Sequence, residues 1–381
     1  MLLTSLKSYN RSQFIKDVTA GIIVAIIALP LSIALALASG VGPEAGIFTA
    51  IVAGFVISAL GGSSVQIAGP TAAFATIVAG IVATDGMDGL VIATILAGIF
   101  LVLMGLCHFG SLIKFIPFTI TTGFTSGIAV TIVIGQLKDF FGLTYPDGVK
   151  PIETTEKFRA VVENFSTINI DALIVGAVSL AVLIIAPYIF KRIPGSLIAV
   201  IIGILMVQFL PLKVSTIGNL YTISNSLPSF HLPAVSFEVV QNALPNAFTI
   251  AVLAAIESLL SCVVADGMIN GKHRSDMELV AQGAGNIASA LFGGIPATGA
   301  IARTAANIKN GGRTPIAGIV HSITLVIVLV VLMPYAGMIP MPTIAAILFI
   351  VAYNMCQWRT FVKLVKTAPK SDIIVLLLPL S

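Results

Sequence analysis

An arginine, a glutamate and two interrupted apolar stretches hold most of the chemistry available to this chain. The first stretch runs from Ala59 through Gly61, Gly62, Gly69 and Pro70 into Thr71 and Phe74, and the second from Ala290 through Gly293, Gly294 and Pro296 into Thr298 and Ala300. Glycine and proline break each near the middle of a membrane segment. A helix from about Pro70 to Thr84, or from about Thr298 to Ile308, is roughly 15 to 22 Å long, against roughly 30 Å of hydrocarbon. Neither spans alone. Each helix start leaves N–H groups free and carries partial positive charge, so two starts meeting at the midplane attract an anion without formal charge. The expected donors are Thr71, Ala72 and Ala73, with the Thr71 hydroxyl, and Gly299, Ala300 and Ile301. Kinks packed through small residues are the bland alternative.

Arg303 falls one turn into the second short helix, with no evident partner between Ala300 and Ala306. A cation at that depth marks function by default, here raising affinity for an anion, unless it snorkels to the nearby surface. Glu257 is the one carboxylate that the apolar pattern places deep inside a span, and it suits a proton carrier. Ser261, one turn on, shares its helical face, so the pair could instead offer oxygens to Na⁺; a neutral acid bonded to a neighbouring helix is the structural alternative. Pro30 kinks the first span, and Leu31, Ser32 and Leu35 would wall the cavity if that face meets the broken helices. Asp266 is expected to cap or pair with Lys272, His273 or Arg274, whereas His108, His273 and His321 have no ligand spacing and His231 falls in an outer loop.

The elements that must position these groups are membrane helices. The 381 residues are 57% hydrophobic and 9% charged, which excludes a soluble globule. Apolar runs give spans near 18–39, 45–61, 70–84, 89–107, 117–136, 171–190, 195–212, 244–266, 279–293, 298–308, 315–333 and 341–356, with another opening at Asp372. The first lacks a cleavage site and reads as a span rather than a signal peptide. With the N-terminus in the cytoplasm, Lys138, Lys150, Lys157, Arg159 and Lys213 fall outside, Arg303 lies within a span, and the remaining Lys and Arg fall inside. The two broken segments then enter from opposite sides, as an inverted repeat requires, with the pseudo-twofold between Leu212 and Leu244. The expectation is an all-α polytopic protein, one transmembrane domain over 1–381 of seven plus seven spans. Its first repeat covers about 15–212, and its second, about 244–381, breaks off within a span. The loops 138–169 and 213–241 read as solvated connectors. Cys107, Cys262 and Cys356 are odd in number and lack metal spacing, so neither a disulfide framework nor a metal site is expected. No cofactor or nucleic-acid partner is expected either.

These residues resemble the SulP anion transporter family, which includes prestin. The resemblance covers essentially the whole chain and rests on Asp17 to Gly21, Pro30, Ser39 to Pro43 with Gly46, Ala68 to Ala72, Phe124 to Gly127, Glu257 with Asp266, Gln282 to Asn286, and Arg303 to Asn307. It implies two half-helices, the third and tenth spans, meeting at the midplane, core and gate domains moving as an elevator, a STAS domain after the last span and a homodimer of the full-length protein. It implies an anion site lined by Leu31, Leu35, Thr71, Ala72, Ala302 and Arg303, and cation coupling at Glu257. Ala302 stands where several relatives have Ser. The surroundings of Glu257, Lys272 to Arg274 and Ala368 to Lys370 are similar to bacterial four-carbon dicarboxylate transporters. The resulting expectation is H⁺-coupled uptake of succinate- or fumarate-like dicarboxylates across a bacterial inner membrane, not an enzyme activity. Sulfate or bicarbonate transport, coupled to H⁺ or Na⁺, is the alternative. A nucleobase permease is the alternative outside this class, disfavoured by Arg303 because a neutral base gains little from a cation.

Overall fold

The computed structural model describes residues 1–2, 5, 9–111, 118–146, 148–149, 151–190, 193–224, 226–233, 236–356, 358 and 362. The span expected from Asp372 lies outside the described residues. In chain order come α1 (Arg11–Ala38), α2 (Pro43–Leu60), β1 (Ala68–Gly69), a 3₁₀ turn at Ala72–Phe74 leading into α3 (Ala75–Leu106), α4 (Phe118–Phe141), α5 (Thr154–Glu163), α6 (Ile170–Ile189), α7 (Gly195–Phe209) and α8 (Ile217–Leu220). There follow α9 (Phe237–Ile269), α10 (Ser275–Leu291), β2 (Thr298–Gly299), α11 (Ile301–Lys309), α12 (Ile316–Ala336) and α13 (Met341–Cys356). Among the described residues six helices are long and apolar enough to cross a membrane, and α7 and α13 are shorter apolar ones. Their outer faces suit lipid: Ile323, Ile327, Val330 and Val331 on α12 are exposed, whereas Leu325 and Leu329 are fully buried. α3 is broken at Gly86 (φ 69°, ψ −168°), which separates the third and fourth expected spans.

Several boundaries differ from the hydropathy reading, because capping and not apolarity ends a helix. α1 starts before the apolar run, where Asn10 Oδ1 accepts from the Gln13 N–H at 2.8 Å. α9 likewise starts early, with Ser236 Oγ accepting from the Val239 N–H at 3.3 Å. The loop 138–169 contains the amphipathic α5, closed by a reciprocal capping box of Glu153 and Glu156, and is therefore more than a connector.

Chain contacts divide the molecule into two compact units, Met1–Lys114 with Ile223–Pro334, and Phe115–Thr222 with Tyr335–Ser381. Each draws on both halves of the sequence. In the second unit the Ser179 and Thr343 hydroxyls bond at 2.8 Å between α6 and α13, and the Ile217 N–H donates to Ile339 O at 3.0 Å.

The first unit holds every residue discussed below. Its α3 and α10 approach backbone to backbone: a methyl group on Gly98 would lie 2.7 Å from Gly283 O. Between the helices run two non-helical segments, which survive at membrane depth only if their backbone groups are paired. Side chains from neighbouring helices do this. Thr304 Oγ1 accepts from the Ile67 N–H at 3.1 Å, and Asn307 Nδ2 donates to Val65 O at 2.8 Å. Thr49 Oγ1 accepts from the Ile295 N–H at 2.7 Å, and Asn286 both accepts from the Ala297 N–H (2.8 Å) and donates to Ala297 O (2.9 Å).

The densest clamp is Glu278, fully buried at the start of α10. One carboxylate oxygen accepts from the N–H groups of Gly62 (2.8 Å) and Ser63 (3.1 Å); the other accepts from Gln66 Nε2 (2.8 Å), Gln282 Nε2 (2.9 Å) and Ser258 Oγ (3.4 Å). Glu278→Gln turns an NH₂ group toward donors and is expected to destabilise the protein by about 1–3 kcal/mol, the cost of stranding a buried donor. Thermal unfolding of the purified protein in detergent checks this, and an unchanged midpoint would contradict the clamp.

A second clamp is Asp17, which is also fully buried. It accepts from Gln13 Nε2 (2.9 Å), the Arg313 N–H (2.8 Å), Thr314 Oγ1 (2.6 Å) and the Tyr9 hydroxyl (3.0 Å), tying α1 to the turn between α11 and α12. Burial, and then the Asp17 charge, push the Tyr9 phenol up to about 12. Glu257 is therefore not alone. Asp17 and Glu278 escaped the hydropathy reading because they sit near span ends, where burial depends on neighbouring segments.

Candidate functional site

The two broken segments meet. β1 and β2 pair antiparallel, Ala68 with Gly299 and Gly69 with Thr298, and the Ala300 N–H donates to Ile67 O at 2.9 Å. This two-stranded crossing is an addition to the all-α expectation. Its antiparallel register sends the helices after Thr71 and Ala300 away in opposite directions. Thr71 (φ −128°, ψ 158°) and Ala300 (φ −94°, ψ 110°) are the extended residues before the first turns, and neither start has a side-chain cap.

The helix itself begins after Thr71, a residue later than Pro70. The Ala300 N–H, expected to face an anion, is already committed to Ile67. The remaining expected residues differ in burial. Leu35, Ala72, Ala73 and Gly299 are buried, Leu31, Thr71 and Ala300 half-buried, and Ile301 and Ala302 exposed.

Arg303 is 1% exposed, which removes the snorkelling alternative. Its Nη2 donates to Ser32 Oγ and to Pro70 O, each at 3.2 Å. Pro70 lies in the extended stretch before the first helical turn, where its carbonyl accepts from the guanidinium. Gly69 makes room, because a methyl group there would collide with Arg303 Nη1. Nε and Nη1 have no hydrogen-bond partner among the described residues. The side chain thus brings a full positive charge and unused donors beside the start of the first half-helix.

Glu257 lies beside that same start, its Oε2 accepting from the Thr71 hydroxyl at 2.9 Å. Ser261 turns elsewhere, its Oγ donating to Thr304 Oγ1 at 3.4 Å. The shared helical face therefore leads to two different sets of partners. Asp266 pairs as the sequence suggests, accepting from the His273 N–H at 2.9 Å and bonding its Nδ1 at 2.7 Å.

Sequence reasoning missed Gln66 and underrated Ser32. Gln66 Nε2 also donates to Ser258 Oγ at 2.8 Å, and a methyl group on Gly299 would strike it. An amide in an apolar run is the only local signal Gln66 offers.

With this geometry in hand, the comparisons with known proteins are specific. The sulfate permease family model matches residues 14–378. The putative sulfate transporter YvdB of Bacillus subtilis is 42% identical over 97% of this chain and 70% of its own length. The bicarbonate transporter BicA of Picosynechococcus sp. is 32% identical over 94% of this chain and 65% of its own. Among solved structures, the transmembrane domain of a cyanobacterial BicA superposes with a TM-score of 0.86 at 28% identity, covering 98% of this chain and 96% of that one. SLC26A9, at 20% identity and 98% and 63% coverage, shares the fold with a TM-score of 0.87. The named relatives are sulfate and bicarbonate transporters, so the expected four-carbon dicarboxylate branch is not supported. A family match over nearly the whole chain, on a multi-pass helical fold, shows that the chain belongs to the sulfate permease (SulP) family of membrane transporters.

Proposed function

We propose that this protein carries a small inorganic oxyanion, sulfate or bicarbonate, across a bacterial cell membrane, with its N-terminus in the cytoplasm. The observation that carries the reading is the buried Arg303, whose Nε and Nη1 are unpaired beside the crossing of two uncapped half-helices. Two helix dipoles and one guanidinium supply attraction, and the Ala72, Ala73, Ile301 and Ala302 N–H groups supply direct donors. The relatives' names favour an inorganic oxyanion over a dicarboxylate.

Coupling follows from Glu257. A carboxylate bonded to Thr71 repels any anion at the same helix start, and a proton on Glu257 removes that repulsion. H⁺ symport is therefore our coupling reading. Na⁺ held against Glu257 would neutralise it equally, with less help from Ser261, whose hydroxyl faces Thr304.

Uptake of radiolabelled sulfate and bicarbonate into proteoliposomes, under imposed H⁺ or Na⁺ gradients and with succinate as competitor, tests the reading. Accumulation of either inorganic anion driven by the H⁺ gradient is expected. Absence of uptake of both inorganic anions, with labelled succinate or labelled uracil accumulated instead, would overturn it. Thr71→Val removes one hydroxyl and its bond to Glu257, so anion affinity should fall by about 1 kcal/mol, or roughly fivefold. Complete loss would show that the hydroxyl, and not the backbone, holds the anion.

A further inference from the structure

His321 has no part in the site described so far, and its sequence context offered no signal. It sits on the inner face of α12, fully buried, and neither ring nitrogen has a hydrogen-bond partner among the described residues. The ring lies over Gly54 of α2: a methyl group on Gly54 would be 4.0 Å from His321 Cδ2 and 3.3 Å from Ala68 O. The residue after Ala68 is Gly69, against which Arg303 Nη1 rests. The patch is continuous, since Ser322, next to His321, donates to Ala50 O at 3.4 Å, and Ala50 Cα would lie 3.6 Å from a methyl group on Gly69.

Unpaired imidazole nitrogens and unpaired guanidinium N–H groups thus flank one two-residue strand in a buried interior. Such groups are seldom left unpaired in proteins, and internal water is their usual partner. The chemistry matches: a neutral imidazole has one nitrogen that accepts and one that donates, and the orphaned Arg303 atoms can only donate. We propose that His321 is a positioning residue for Arg303, holding ordered water that receives Arg303 Nε or Nη1. This water bridge keeps the guanidinium turned toward Pro70 O and Ser32 Oγ, and so fixes the charge beside the anion.

The inference rests on reading Arg303 as the cation that attracts the anion, and the variants separate the two. Sulfate and bicarbonate dissociation constants are measured by calorimetry on the full chain for the parent protein, Arg303→Gln, His321→Phe, His321→Gln and the Arg303→Gln/His321→Phe double variant. Arg303→Gln must weaken binding; if it does not, the role of Arg303 fails and this inference with it. His321→Phe should weaken binding about tenfold, within the range for residues sharing one network, and add nothing in the double variant. His321→Gln keeps a donor and an acceptor and should retain most of the affinity. Unchanged binding in His321→Phe, or an undiminished loss in the double variant, would overturn the inference while sparing Arg303. Should His321→Phe fail to fold, nitrogen NMR of labelled histidine decides: Arg303→Gln must move the His321 ring signals, and unmoved signals refute the bridge.

Discussion

Arg303→Gln is expected to weaken sulfate or bicarbonate binding by about 1–3 kcal/mol, roughly 5- to 150-fold, the scale of a hydrogen bond to a charged group. Glutamine retains a donor for Pro70 O but removes the charge and the unpaired Nε and Nη1. A charge in so buried a position acts through little screening, so its loss is felt even where the guanidinium does not touch the anion. Arg303→Lys should recover part of the affinity, because a point charge remains while the planar fork that spans Ser32 and Pro70 is lost. Calorimetric dissociation constants, compared at equal thermal stability, check both variants. An unaltered constant in Arg303→Gln would return the helix starts to sole responsibility for the anion.

Glu257→Gln is expected to abolish accumulation against a gradient while leaving anion binding intact. Glutamine resembles the protonated acid in shape and charge, so it can keep the Thr71 hydroxyl as a neighbour without repelling an anion. It cannot release a proton on the return journey. The coupling free energy between proton and anion should vanish, and the accumulation ratio should fall by about tenfold or more, within the usual range for linked sites. Uptake down the anion's own gradient should persist and lose its dependence on pH. Undiminished uphill uptake in this variant would exclude Glu257 from coupling; loss of a Na⁺ dependence instead would identify the cation as Na⁺.

The two predictions differ in how far the sequence could have carried them. Glu257 and Arg303 were conspicuous because an ionisable residue inside an apolar run is rare enough to be noticed one residue at a time. The break points at Gly61 to Pro70 and Gly293 to Pro296 were legible for the same reason, since glycine and proline act on their own backbone. What surrounded them was not legible. Gln66, Ser32, Thr304 and Asn286 look unremarkable in their own helices, and they matter only because each pairs a backbone or polar group far away along the chain. Asp17 and Glu278 look like charges at span ends until segments fold over them.

Hydropathy, charge asymmetry and residue type therefore determined, from the sequence alone, a multi-pass helical protein with two broken segments, a membrane arginine and a membrane carboxylate. These are local properties, each set by a residue and its immediate neighbours. Only the tertiary structure decided that Ala68 and Gly69 pair with Gly299 and Thr298, that the Ala300 N–H is spent on Ile67, and that Arg303 turns inward to Pro70. Those outcomes belong to pairs of groups far apart in the chain. Their partners are chosen by the need to satisfy every buried backbone group at once, and no single stretch of sequence records that choice.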